Sequence, residues 1–306
     1  MTVAAIIINY NAGKWLQRSV KSVLAEEKIQ TLFVVDNCSK DNSIDQLTDS
    51  FSTEEFPQER LNILRNKQNL GFGKANNQAL KVILEQQEID YVLLINPDCE
   101  LTEGVVEKML PYFESSKAIG MAGCVITNSD GTVQITCRRR FPTPLSAFLR
   151  ITQLSRFNFI KNRVDQSEFD LGAEPLPKSM VKVDAVSGAF MLVRKEAIED
   201  VGLFDEAYFM HCEDLDWCKR FAISGWDIAF IPEVSVVHEK GISSQTRPIG
   251  VLWNLHQGML RFFDKFYRNS YSWPLRLIVR IGIYANFIVR AAGSVVKQVA
   301  TKLFGK

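Results

Sequence analysis

The sequence predicts an α/β fold: a mixed, mostly parallel central sheet with helices on both faces, plus a C-terminal helical tail. Three observations carry that prediction. Short apolar runs at residues 3–8 and 91–95 have the length of strands buried on both faces and are too short for buried helices. Between such runs lie segments with apolar residues at helical spacing, such as Leu16, Val20, Val23 and Leu24. The two alternate up to about residue 119, and a helix between successive strands is the crossover that parallel neighbours need.

In chain order, the strand at 3–8 runs into Asn9-Tyr10-Asn11-Ala12-Gly13, a loop of turn formers, and then the first helix. A second strand, Leu32-Phe33-Val34-Val35, ends at Asp36-Asn37-Cys38-Ser39. A third, at 61–64, leads to Asn69-Leu70-Gly71-Phe72-Gly73 and a helix expected to bury Ala75, Ala79, Val82 and Ile83. The strand at 91–95 reads as central, and Pro97 ends its ladder by removing a backbone donor. Asp98 therefore falls just past a strand's carboxyl end, where open α/β sheets bind ligands. A carboxylate there suits a divalent cation, which in turn suits a diphosphate. The plain alternative is a Pro-Asp turn into a helix capped by Thr102, with Val106, Met109, Leu110 and Phe113 on its buried face.

Beyond about residue 119 the rhythm changes. Asn128-Ser129-Asp130-Gly131 predicts a turn between two extended runs. Residues 142–180 lack periodicity and hold four prolines, so they read as a long loop with some helix, of the kind that covers a site. Strands resume at 189–193 and 228–231, with a helix containing Glu213 and Asp214 between them.

Composition narrows the class. With 306 residues, 46% apolar and 23% charged, the chain is an ordinary globular protein. A net charge of +1 argues against bulk affinity for nucleic acid. Six cysteines without a CxxC pair, and no signal peptide at Met1, read as reduced core thiols in a cytoplasmic protein. The basic charge gathers at the end: residues 265–306 hold eight Lys or Arg and no Asp or Glu.

Several loops carry groups suited to chemistry, each with a plainer structural reading beside it. Asp36, on the same rim as Asp98, suits a nucleobase or ribose hydroxyl, or simply an Asx turn with Ser39. Gly71-Phe72-Gly73 suits close approach of backbone amides to phosphate. It lacks the third glycine of a dinucleotide fingerprint, and no phosphate-cradling P-loop is present. Glu213 and Asp214 fall in the first turn of a helix, where the dipole favours ionised carboxylates, and an ionised, positioned carboxylate is what a general base needs. They equally suit simple dipole complementation. Leu215, Cys218 and Phe221 are spaced to face the core, and Asp216 and Arg220 to pair on an exposed face. His238 ends an extended run before a glycine loop, as a metal or phosphate contact or as a structural histidine.

Taken in order, these segments resemble the family-2 glycosyltransferases of the GT-A fold, and within them the bacterial rhamnosyltransferases. The resemblance covers roughly residues 3–245. It rests on Ile6-Ile7-Ile8-Asn9-Tyr10-Asn11, on Val34-Val35-Asp36-Asn37 with Ser39, Asp41 and Ser43, and on Asn69-Leu70-Gly71-Phe72-Gly73 with Asn76-Asn77. Asn96-Pro97-Asp98 stands where the family carries its metal-binding acidic motif, with Asn96 in place of an acidic residue found in many relatives. Ser187-Gly188-Ala189-Phe190-Met191, then Glu213-Asp214-Leu215-Asp216, then His238 follow in the family's order.

That resemblance implies an inverting, metal-dependent transferase that moves L-rhamnose from dTDP-rhamnose onto a lipid-linked saccharide in cell-surface polysaccharide synthesis. It implies nucleotide-sugar contacts from Asn9, Asp36, Asn69, Gly71, Asn77 and Asn96. Asp98 and His238 would hold Mg²⁺ or Mn²⁺, and Asp214, with Glu213 as its close rival, would be the catalytic base. The basic strand Arg138-Arg139-Arg140 also resembles the rhamnosyltransferase subgroup; Arg138 and Arg140, and separately Trp217, are expected to meet the acceptor, with a simple exposed basic strand end as the plainer reading of the arginines. Residues 1–125 would form the nucleotide-sugar half, 126–245 the acceptor and catalytic half, and 246–306 the tail. The competing class is an inactive nucleotide-sugar-binding or scaffold protein of the same pathway. The presence of Asp36, Asp98 and Asp214 together argues for the enzyme.

On a helix, Arg276, Arg280, Arg290, Lys297 and Lys302 fall on one side, and Ile278, Ile281, Val289, Val296, Val299 and Leu303 on the other. Ile283 and Phe287 share the basic side, so the amphipathicity is imperfect. The longest charge-free run in this helix, 281–289, is nine residues, too short to span a bilayer. The tail thus reads as a peripheral contact with the inner face of the cell membrane. Packing on the catalytic domain or on a partner subunit is the alternative.

Overall fold

The computed structural model describes residues 1–51, 58–143, 171, 174–239 and 248–304. Most of the expected loop at 142–180, and the residues that follow Glu239, lie outside them. The first half runs β1 (Val3–Asn9), α1 (Lys14–Leu24), β2 (Ile29–Asp36), α2 (Ser43–Phe51), β3 (Leu61–Arg65), α3 (Phe72–Leu84), β4 (Tyr91–Ile95), β5 (Cys99–Leu101), α4 (Val105–Ser115) and β6 (Ile119–Thr127). The second half adds β7 (Arg138–Arg139), β8 (Val181–Lys182), β9 (Ala185–Val186), β10 (Phe190–Arg194), α5 (Lys195–Val201), α6 (Glu213–Ile223) and β11 (Asp227–His238). Two helices follow, α7 (Pro248–Tyr267) and α8 (Trp273–Phe304).

The central sheet has the order β3-β2-β1-β4-β10-β6-β11-β5, with β8 also paired to β11, while β7 and β9 form a separate small sheet. The β3-β2-β1-β4 block is parallel. β10 inserts antiparallel between β4 and β6, and β11 returns parallel to β6. Alternation along β1 divides the core: Val3, Ala5 and Ile7 join α1, α2 and α4 on one face. Ala4, Ile6 and Ile8 join α3, α5 and α6 on the other. Because both faces are covered, the strands read as continuous apolar runs.

Local departures from expectation have simple causes. Val82 is 41% exposed, and Leu80 takes the buried position beside Ala79 and Ile83, because Ala75, Ala79 and Leu80 set the helix's inner face. Thr102 does not cap α4; the short strand β5 intervenes, and Thr102 donates to the Ser235 carbonyl instead. Gly104, at φ +69°, precedes the helix, and the Glu26 carboxylate accepts from the Val105 and Val106 amides at 2.9 and 3.1 Å. The 128–131 turn forms, with Asn128 N–H on the Thr132 carbonyl and a single bridge between Thr127 and Val133. The run after it becomes a helical turn and the two-residue β7.

Candidate active site

A cleft of about 340 Å³ opens at the carboxyl ends of the parallel strands. Tyr10 follows β1, Asn37 follows β2, Asn69 and Gly71 precede α3, and Asn96, Pro97 and Asp98 follow β4. Ser187, Gly188, His211, Glu213, Asp214 and His238 line the other side. Expected residues from four separate chain segments, Asn69, Gly71, Asn96, Asp98, Glu213, Asp214 and His238, therefore share one wall-to-wall space.

The nucleotide side is built on amide hydrogen bonds. Asn37 donates to Asn69 Oδ1 at 2.9 Å and accepts from the Leu70 amide at 2.9 Å, fixing the loop ahead of α3. Gly71 has φ +83°, and a Cβ there would lie 2.2 Å from the Phe209 carbonyl oxygen. Only glycine lets this loop close on the 209–212 segment, so Gly71→Ala is expected to cost at least about 2 kcal/mol of stability. Urea denaturation checks this; an unchanged midpoint would contradict it. Asp36 is 8% exposed and accepts from Asn9 Nδ2 at 2.9 Å, with the Ser39 amide at 3.4 Å. It stands behind the cleft wall as an Asx-type anchor, and the fully buried Asn9 braces it.

Asp98 and His238 are brought together by the antiparallel pairing of β5 with β11, which sets His238 opposite Cys99. Asp98 Oδ1 lies 3.1 Å from His238 Nε2. Adjacent ligands on an octahedral metal with bonds of about 2.1 Å stand roughly 3.0 Å apart, so this carboxylate and imidazole fit a divalent cation. Cys99 completes a group whose ligand atoms lie within 4.8 Å of one another. Burial, with the charge of Asp98, pushes its thiol well up, and Sγ faces the Ala189 carbonyl at 3.4 Å. A soft sulfur is a poor match for a hard Mg²⁺ or Mn²⁺, so the donor set for such an ion is the oxygen and the nitrogen.

Across the cleft, Asp214 and Glu213 begin α6. His211 and Cys212, both left-handed at φ 72° and 68°, bend the chain so that this helix starts at the cleft. Asp214 Oδ2 accepts from Arg139 at 2.6 Å and from the Gly188 amide at 3.2 Å, while Oδ1 accepts from the Leu215 amide at 2.8 Å. Burial pushes this carboxyl up, but the charge and hydrogen bond of Arg139, with the two amides, outweigh it and hold it below its usual range. Glu213 has no such partner. Burial, then the charge of Asp214, raise it to about 8. The helix N-terminus does not rescue its ionised form, contrary to the expectation for two charged carboxylates. At neutral pH the pair divides into an ionised Asp214 and a neutral Glu213.

Comparison with known proteins follows the same outline. The glycosyl transferase family 2 model matches residues 4–202. The chain belongs to this family. It is 26% identical over 305 residues to the N-acetylglucosaminyl-diphospho-decaprenol L-rhamnosyltransferase of Mycobacterium tuberculosis, covering 94% of this chain and 92% of that one. It is 26% identical to rhamnosyltransferase WbbL of Escherichia coli over 71% of this chain and 73% of that one. Among solved structures, the mannosyltransferase PcManGT from Pyrobaculum calidifontis, in complex with GDP-Man and Mn²⁺, superposes with a TM-score of 0.57 at 15% identity, covering 99% and 81% of the two chains. GalNAc-T7 with UDP, GalNAc and Mn²⁺ superposes at 0.61 and 13% identity; the match covers 86% of this chain and 48% of that one. The GT-A fold is thereby shown, and the protein is a glycosyltransferase related to rhamnosyltransferases.

In this glycosyltransferase Asn9 and Asp36 stand behind the cleft lining rather than in it, and four further residues also sit elsewhere than expected. Asn77 is buried against the 204–206 segment, donating to the Phe204 carbonyl and accepting from the Phe204 amide, both at 3.0 Å, so it braces the fold from behind α3. Trp217 is fully buried, its indole N–H on the Gly202 carbonyl at 2.8 Å and its ring against Phe204 and Phe221. Arg138 is buried over the Phe230 ring and donates to the Glu174 and Pro175 carbonyls. Arg140 is exposed and outside the cleft lining. Strand alternation explains the arginines: in β7 neighbouring side chains face opposite ways, and it is Arg139 that turns to Asp214. Asp216 does pair with Arg220, at 2.8 Å, but fully buried, because Lys265 of α7 covers its other oxygen at 2.6 Å.

Sequence reasoning named Asn37 and Gly188 only as parts of motifs, and Arg139 only as part of a basic strand. Asn37 had a signal, lying one residue beyond the Asp36 strand end. Arg139 had none, since its role depends on a contact across 75 residues.

Proposed function

We propose that this enzyme transfers L-rhamnose from dTDP-rhamnose to a lipid-linked saccharide by single displacement with inversion. The observation that carries the reading is that the Asp98–His238 pair and the ionised Asp214 line one cleft, beside the Gly71 loop at the N-terminus of α3. Asp98 and His238 would hold Mg²⁺ or Mn²⁺ against the donor diphosphate. When bound, the ion offsets the charge that grows on the departing nucleoside diphosphate. Asn37, Asn69 and Gly71 hold the loop that shapes the nucleotide pocket. Asp214 accepts the proton of the acceptor hydroxyl as its oxygen bonds to the anomeric carbon and the carbon–diphosphate bond breaks on the opposite side. Neutral Glu213 is left as a donor toward a sugar hydroxyl.

The donor and acceptor follow from the names of the relatives: a rhamnosyltransferase acting on a diphospho-decaprenol-linked sugar, and a dTDP-rhamnosyl transferase of Shigella flexneri. Thermal denaturation in Mn²⁺ tests the donor. dTDP-rhamnose is expected to raise Tm more than UDP- or GDP-sugars; a larger shift with a UDP-sugar would overturn the assignment.

The tail completes the reading. One side of α8 packs on α7, with Ile283 buried, Phe287 edge-on to Trp253 at 5.2 Å and Arg280 on Asp264 at 2.6 Å. The other side is an open apolar stripe of Ile278, Ile281, Ile288, Val289 and Val296, with Val289 and Val296 70% and 68% exposed. No helix among the described residues is long and apolar enough to cross a membrane. An unspent apolar stripe on a basic helix suits the headgroup boundary of an anionic membrane, where the acceptor's lipid would also sit. Replacing Ile281 and Ile288 together by Asp is expected to weaken binding to phosphatidylglycerol vesicles by about 10²-fold or more, given about 1.5–3 kcal/mol per buried side chain. Unchanged vesicle binding would assign the stripe to a second copy of the chain instead.

A further inference from the structure

What faces Nδ1 of His238 is decided outside the cleft, by a chain of side chains that begins at the 128–132 turn. Asp130 can only accept, and the Thr132 hydroxyl donates to its Oδ1 at 2.5 Å. That hydroxyl has one proton, so toward Asn128 it accepts, from Nδ2 at 2.8 Å. Asn128 therefore turns Oδ1 to Gln134, whose Nε2 donates to it at 2.9 Å and to the His238 carbonyl at 3.0 Å. The second acceptor is a backbone oxygen and admits no reversal. Gln134 must then present Oε1 to His238 Nδ1, 3.2 Å away. An amide oxygen has no proton to give, so this contact is a hydrogen bond only when Nδ1 is the donor and Nε2 is left for Asp98.

The chain is also well placed to hold its setting. Gln134 is 4% exposed, its amide N–H bonds the Ile126 carbonyl at 2.7 Å, and Asn128 N–H bonds the Thr132 carbonyl at 2.8 Å. Reversing the buried Gln134 amide would set its oxygen against the His238 carbonyl. With no cation the two ring forms compete, because an Nε2–H would meet the Asp98 carboxylate at 3.1 Å; with a cation between Nε2 and Asp98, the ring proton is on Nδ1 and Gln134 Oε1 is its acceptor.

We propose that Gln134 is the positioning residue that accepts from His238 Nδ1–H and so aims Nε2 at a cation shared with Asp98. The proposal rests on the metal reading above. Outer partners of ligating histidines typically change metal affinity by about 10–100-fold when lost.

Mn²⁺ binding by EPR on the full-length protein, with dTDP present, tests this. Gln134→Met is expected to weaken binding by about 10–100-fold, and Gln134→Glu, which keeps an acceptor oxygen for Nδ1–H, to retain most of it. Unchanged Mn²⁺ affinity in Gln134→Met, or an equal loss in both variants, would overturn the proposal. A wild type that binds no Mn²⁺ would overturn the metal reading, and the proposal with it.

Discussion

Asp214→Asn is expected to slow sugar transfer by about 10²–10⁴-fold while donor affinity stays near wild type. Asparagine keeps the shape and can still accept from Arg139, but it cannot take a proton. The variant also leaves the half-buried Arg139 guanidinium without its charge partner, so a loss of roughly 1.5–3 kcal/mol in stability should accompany the kinetic defect. Glu213→Gln separates the two carboxylates. Glutamine mimics the neutral form that burial and the charge of Asp214 impose on Glu213, so turnover should fall far less. Stability should then respond to pH in opposite senses at the two positions. Glu213 gains a proton on folding, so its contribution is full below about pH 4.5 and is lost as pH rises toward about 8. Asp214, held down by Arg139, contributes above its unfolded value of 3.8 and loses that contribution as pH falls through its lower folded value. Glu213→Gln should therefore gain in Tm on the wild type between pH 5 and pH 8. Near-normal turnover in Asp214→Asn with a collapse in Glu213→Gln would exchange their roles.

Asp98→Ala should abolish the dependence of donor binding on divalent ions and slow transfer by about 10²–10³-fold, the scale of several kcal/mol of charge stabilisation. His238 would keep its hydrogen bond to Gln134 but face an empty position, and one neutral nitrogen is a poor site for a hard cation. Asn96 carries no charge, so Asp98 is the one carboxylate in the Asp98–Cys99–His238 group, which sharpens the expected effect. Calorimetry of dTDP binding in Mn²⁺ and in chelator measures it. A wild type indifferent to chelator would remove the metal from the account.

What was legible in the sequence was whatever depends on short-range pattern. The strands at β1 and β4 are apolar throughout because both faces are covered, and the carboxylates that follow strands landed at the sheet's rim as strand polarity requires. Orientation was less legible. Asn77 and Trp217 sit in the right segments but turn inward, where the 204–221 region needed an amide pair and a large ring. Arg138 and Arg139 differ by one residue, and strand alternation sends one under the sheet edge and the other to Asp214. Glu213 was expected to be charged from its helix position alone; it is buried instead, just after a segment on which α7 closes at Gly258, and nothing local announces that contact. In the tail, α7 packs on the preceding domain through Lys265–Asp216 and Arg261–Asp205, α8 packs on α7 in turn, and an apolar stripe of α8 remains outside.

The central claim is that Asp98 and Asp214 act across one cleft on one reaction, and it is tested most directly by following dTDP release with a lipid-linked saccharide acceptor in Mn²⁺ and in chelator. The account predicts acceptor-dependent release in Mn²⁺, formation of a glycosylated lipid with inverted anomeric configuration, and loss of both in chelator and in Asp214→Asn. Transfer that proceeds equally in chelator, or with retained configuration, would contradict it.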